Sequence, residues 1–99
     1  MHTNSTFESN RQNRFRLTRH AKRRCAQRGI RDESVVLVRA FGERSHDGRG
    51  GIRCLMTRAA VQRLESVVGH SQRTESLTGV YVVLSADDEQ VVITAAHRF

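Results

Sequence analysis

Residues 80–85, Val-Tyr-Val-Val-Leu-Ser, and residues 90–96, Gln-Val-Val-Ile-Thr-Ala-Ala, are two β-branched runs separated by Ala86-Asp87-Asp88-Glu89. β-branched side chains crowd a helix and suit a pleated strand, and a short polar break between two such runs is a hairpin signal. The spacing predicts a pair of antiparallel strands. Their nearly continuous apolar character predicts that both faces are covered and that the pair lies centrally in a sheet. A chain of 99 residues has room for one modest core, so the remaining segments are read as what packs around this hairpin.

Upstream, Phe15 and Leu17 alternate with polar residues and predict a short strand. Thr18 is a capping residue and Gly29 a stop, which predicts a helix over residues 19–28 with Leu17, Ala21 and Cys25 as its narrow apolar stripe. A second helix is expected over residues 33–41, capped by Asp32, stopped by Gly42 and burying Leu37, Val38 and Phe41. The two helices are expected to form a hairpin. Segments 43–46 and 51–57 flank Asp47-Gly48-Arg49-Gly50, which predicts a second strand pair. Thr57 then caps a helix over residues 58–68, with Val61, Leu64 and Val68 at helical spacing, and residues 70–78 read as a polar loop. The fold class is α+β: a small antiparallel sheet of four to five strands, with an N-terminal helical hairpin and one additional helix packed on it. The domain spans residues 14–99, after a polar segment over residues 1–13 that is expected to be flexible.

The charge is unevenly placed. Seventeen Lys and Arg, sixteen of them arginine, stand against ten Asp and Glu, for a formal net charge of +7. Between residues 11 and 31 there are nine basic residues and no acidic one. Such a surface suits a polyanion or an acidic protein, and arginine's planar fork of donors suits phosphate in particular. A solvated basic face without a ligand accounts for the same charge. The longest uninterrupted apolar run, from Val80 to Leu84, is far short of the ~20 residues a membrane-spanning helix needs. No apolar stretch near Met1 resembles a secretory leader, and a cytoplasmic protein is expected. Cys25 and Cys54 are expected to be structural thiols, and neither metal-ligand spacing nor a phosphate-loop motif is present.

Chemistry, where the residues suggest it, starts on the first helix. His20, Arg24 and Arg28 recur every four residues and share one face. A histidine can move a proton near neutral pH, and a neighbouring arginine can stabilise charge developing on a phosphoryl oxygen. These are the elements of a metal-independent ribonuclease, in which the 2′-hydroxyl of RNA attacks the adjoining phosphate. Strand alternation places Ile93, Ala95 and His97 on one side and Thr94 and Ala96 on the other. His97 is a candidate second acid/base group and Thr94 a candidate phosphate contact. Arg19, Arg23, Arg28 and Arg53 are candidate substrate-binding cations. No cofactor is expected. His20 as a simple exposed helical histidine, and His97 as an exposed chain end, are the plain alternatives. Aromatic residues are too scarce for a base-stacking platform, and the helix over 33–41 is too apolar to read a DNA groove.

Leu17-Thr18-Arg19-His20-Ala21, Arg24 and Arg28-Gly29-Ile30, followed by Glu33 and Val35 and later by Val91-Val92-Ile93-Thr94, resemble the signature of a widespread bacterial family of small domains, the DUF4258 family. That resemblance implies a fold similar to the RelE-like and BrnT-like ribonuclease toxins, and it picks out His20, Arg24, Arg28 and Thr94. The chain departs from the family pattern between its strands, where residues 58–68 and the polar stretch after them are inserted. Three readings follow: an endoribonuclease of toxin type, a non-catalytic domain that binds nucleic acid, RNA before DNA, and a module whose basic face docks an acidic, antitoxin-like protein.

Overall fold

The computed structural model describes residues 15–98. The flexible segment expected over residues 1–13 lies outside that range. In chain order the elements are β1 (Arg16–Leu17), α1 (Arg19–Arg28), α2 (Asp32–Phe41), β2 (Glu43–His46), β3 (Gly51–Leu55), α3 (Arg58–Val68), α4 (Gln72–Glu75), β4 (Val80–Ser85) and β5 (Val91–His97). The strands form one sheet in the order β1-β5-β4-β3-β2. The pairs β2–β3, β3–β4 and β4–β5 are antiparallel, whereas β1 is parallel to β5, with Arg16 opposite Val91 and Leu17 opposite Val92. The fold is α+β as expected, but the sheet is mixed.

The β4–β5 hairpin is the centre of the sheet. Val80, Val82 and Leu84 are fully buried while Tyr81, Val83 and Ser85 are only partly covered, so one face carries the core and the other stays half open. This corrects the expectation that both faces are covered. All the helices that contribute to the core do so on the Val82 face: Ala21 and Cys25 of α1, Val35 and Val38 of α2, and Ala60, Val61 and Leu64 of α3 join Val82, Leu84, Val92 and Ala95 in a single cluster. Each fully buried Val or Leu contributes about 1.5–3 kcal/mol.

Local chemistry explains the boundaries. The side chain of Thr18 accepts the Ala21 N–H at 3.1 Å and starts α1. Gly29 ends it with φ of 66°, a left-handed conformation that a residue with a Cβ adopts only with strain. Thr57 starts α3 in the same way, accepting from the Ala60 N–H. At the β2–β3 turn, Asp47 accepts the backbone N–H groups of Arg49 and Gly51, which holds its carboxyl below the usual range.

Four details differ from expectation. Asp32 does not cap α2; it is the first residue of the helix, and Arg31 stands before it without a side-chain capping bond. Asp32 and Glu33 instead place negative charge at the positive end of the helix. Val68 is 59% exposed and lies off the buried stripe of α3. The polar stretch over 70–78 contains α4, because Ser71 and Thr74 form a reciprocal capping box, so two helices rather than one follow α2. Finally, the principal contacts of α1 are with β5, and those of α2 are with β3, β4 and α3. Both helices are organised by the sheet.

Candidate functional site

α1 stands on β5 with Ala21 and Cys25 turned inward and its basic residues turned out. Arg19, His20, Lys22, Arg23 and Arg28 are exposed and Arg24 is half-buried. With a rise of about 1.5 Å per residue, His20, Arg24 and Arg28 stand about 6 Å apart along the helix. α1 contains no acidic residue in its first turn, and no described carboxylate lies within ion-pair distance of its basic side chains. Three arginines elsewhere are engaged: Arg44 pairs with Glu89 at 2.6 Å, Arg39 donates to the Glu89 carbonyl, and Arg63 donates to the Phe41 carbonyl. The Arg44 pair holds the Glu89 carboxyl below its ordinary range and raises Arg44 further. The five cations of α1 within ten residues are therefore a dense positive charge with no ion-pair partner among the described residues.

The other candidates fall elsewhere. Arg53 pairs with Ser45 on one side and Val83 on the other, and Val83 pairs with Thr94, so Ser45, Arg53, Val83 and Thr94 form one row across the sheet. That row lies on the open face. Arg53 and Thr94 are separated by one strand, about 10 Å. Because Val83 is opposite Thr94 while Leu84 is opposite Val92, one extra residue, Ile93, is accommodated in β5 as a bulge. The bulge puts Val92 and Ala95 in the core and leaves Ile93 only partly covered. Ile93 and Ala95 therefore do not share a side in the way simple alternation predicts. The structure places Thr94 and Arg53 on one face of the sheet, a strand apart, and His20, Arg24 and Arg28 on the helix packed against the other face.

His97 is exposed at the end of β5, opposite Val80, and no hydrogen bond joins it to His20. The link between α1 and β5 is made by Thr18, whose hydroxyl donates to the Ile93 carbonyl at 3.0 Å. Among the described residues, no group of three or more His, Cys, Asp or Glu is arranged to hold a metal ion. Cys25 and Cys54 are free and buried; burial raises both thiols above their ordinary pKa, with nearby Asp32 adding to the effect at Cys25. No helix of the described residues is long and apolar enough to cross a membrane.

Arg73, in the segment whose composition predicts a polar loop, stands instead on α4. The one signal for that helix was Ser71 three residues before Thr74. No family model, curated protein or solved structure matches the chain.

Proposed function

We propose that this protein binds RNA through the outward face of α1. The observation that carries the reading is the set of five cations and one histidine on that face, none of them in an ion pair with a described carboxylate. Arg19, Arg23, Arg24 and Arg28 contact successive phosphates, and Arg53 with Thr94 offers a separate contact on the open sheet face. Two buried free thiols suit a reducing, cytoplasmic setting in which RNA is the abundant polyanion.

A second reading is favoured by the exposure of His20 one helical turn from Arg24. In it the protein is a metal-independent endoribonuclease. His20 accepts the 2′-hydroxyl proton as that oxygen bonds to phosphorus; the bond from phosphorus to the 5′-oxygen breaks, and a second group, with His97 the candidate, protonates the leaving oxygen. Arg24 neutralises the phosphoryl oxygens as charge builds. The products are a 2′,3′-cyclic phosphate and a 5′-hydroxyl.

One experiment separates the readings. Mixed-sequence RNA is incubated with the protein in excess chelator, beside His20→Ala and the double variant Arg24→Ala/Arg28→Ala, and both binding and integrity are followed. Cleavage that His20→Ala abolishes establishes the enzyme. Intact RNA, bound by the parent and His20→Ala but released by the double variant, establishes the binding domain. Absence of both binding and cleavage at physiological salt overturns both readings.

A further inference from the structure

An open groove of about 430 Å³ runs between α2 and the α4 region, lined by Gly29, Arg31, Glu33, Ser34, Leu37, Arg73, Thr74, Ser76 and Leu77. Its size falls within the range of small-molecule sites. Its wall begins where α1 ends, because Gly29 follows Arg28 directly. The groove therefore adjoins the C-terminal end of α1.

The lining is amphipathic in a particular way. Leu37, half-buried, gives it an apolar wall to which the almost fully buried Leu77 adds an edge, and Arg31 and Arg73, both exposed, place two cations on the same lining from segments far apart in the chain. Neither guanidinium lies within ion-pair distance of a described carboxylate. Glu33 stands on the same wall, so two guanidinium groups against one carboxylate leave a single positive charge. A phosphodiester carries one negative charge, whereas a terminal phosphate monoester carries nearly two near neutral pH. The charge therefore suits a nucleotide inside a strand better than a free mononucleotide. The Ser34 hydroxyl and Glu33 carboxylate make no hydrogen bond among the described residues, whereas Thr74 spends its hydroxyl on Glu65 and the Ser71 carbonyl. A carboxylate free in this position accepts from an exocyclic amino group of a base.

We infer that this groove is a nucleotide subsite for one residue of a bound RNA strand, its base against Leu37 and Leu77 and its phosphodiester between Arg31 and Arg73. The inference rests on the reading of α1 as the RNA-binding face and extends that face to a segment of the chain outside the basic cluster.

The test uses the full chain and a short fluorescent single-stranded RNA of mixed sequence, with affinity read by polarisation. Arg73→Ala is expected to weaken binding about tenfold, as loss of one charged hydrogen-bonding contact does. Ser34→Leu fills the groove without changing its charge and is expected to weaken binding comparably. Arg73 is exposed and its side chain makes no hydrogen bond or ion pair among the described residues, and unchanged circular dichroism confirms that its variant folds. If Arg24→Ala/Arg28→Ala weakens binding while Arg73→Ala and Ser34→Leu do not, the subsite is overturned and the α1 reading stands. If Arg73→Ala weakens binding but Ser34→Leu does not, Arg73 acts as diffuse charge and the subsite is again overturned. If no variant changes binding, or the RNA does not bind, both readings fall.

Discussion

The hydroxyl of Thr18 donates to the carbonyl of Ile93 at 3.0 Å while the same oxygen accepts the Ala21 N–H at 3.1 Å. One side chain thus starts α1 and ties it to the bulge in β5. A helix cap ordinarily acts only on its own helix; here the cap also sets where the basic face stands relative to the sheet.

Thr18→Ala removes both bonds and leaves the half-buried Ile93 carbonyl without this donor. The expected loss is about 2 kcal/mol. Thr18→Ser keeps the oxygen and should recover most of it. Urea denaturation of the two variants reads the difference, and equal midpoints for alanine and serine would refute the shared role.

Gly29 and Gly42 are expected to fail differently when replaced by alanine. At Gly29 the space around a Cβ is empty and only the φ of 66° opposes it, which costs about 1 kcal/mol. At Gly42 the backbone is ordinary, but a Cβ would lie 2.5 Å from the Val38 carbonyl oxygen and 3.1 Å from the Cys54 carbonyl carbon. That neighbour is backbone and cannot rotate away, so the cost should reach about 2 kcal/mol or more. Thermal melts rank the pair.

Glu65 supports the join between α3 and α4. It accepts from the Thr74 hydroxyl at 2.7 Å and lies 2.8 Å from His70 Nδ1, and these contacts, the Thr74 bond first, hold its carboxyl below the ordinary range. A carboxyl whose pKa is lower folded than unfolded stabilises the fold above its unfolded pKa, near 4.3, and loses that contribution as pH falls through the folded value. Asp47 and Glu89 are lowered as well and act in the same direction. Stability should therefore fall below about pH 4. Glu65→Gln should lower the melting temperature at pH 7 and flatten its decline in acid; an unchanged acid profile would show that Glu65 is not part of it.

If α1 lies along RNA, affinity falls linearly with the logarithm of salt concentration. Each phosphate contact on a single strand contributes a slope of about −0.7. Arg24→Ala/Arg28→Ala should therefore reduce the slope by about 1.4 as well as the affinity. A weaker complex with an unchanged slope would mean that these arginines do not meet phosphate.

Much of the architecture is legible in the residues. Thr18, Gly29, Thr57 and the Asp47 turn act over a few positions, through bonds whose partners are close in the chain, and the structure uses each as read. α4 is not legible in the residues because its box pairs Ser71 with Thr74, a weaker signature than one closed by Glu or Gln. The candidate site was legible only in part. His20, Arg24 and Arg28 share a helix face by periodicity alone, whereas the side on which Thr94 falls depends on the extra residue at Ile93.

What the sequence by itself determined is therefore local: the Thr18 and Thr57 caps, the spans of α1, α2 and α3 to within a residue, the β4–β5 hairpin and the concentration of arginine on one helix. Only the tertiary structure decided that β1 runs parallel to β5, that Thr94 and Arg53 lie across the sheet from His20, and that Arg31 and Arg73 line one groove. Each of these depends on strand register or on packing between segments distant in the chain, and a single-residue bulge is enough to reverse which face a side chain takes.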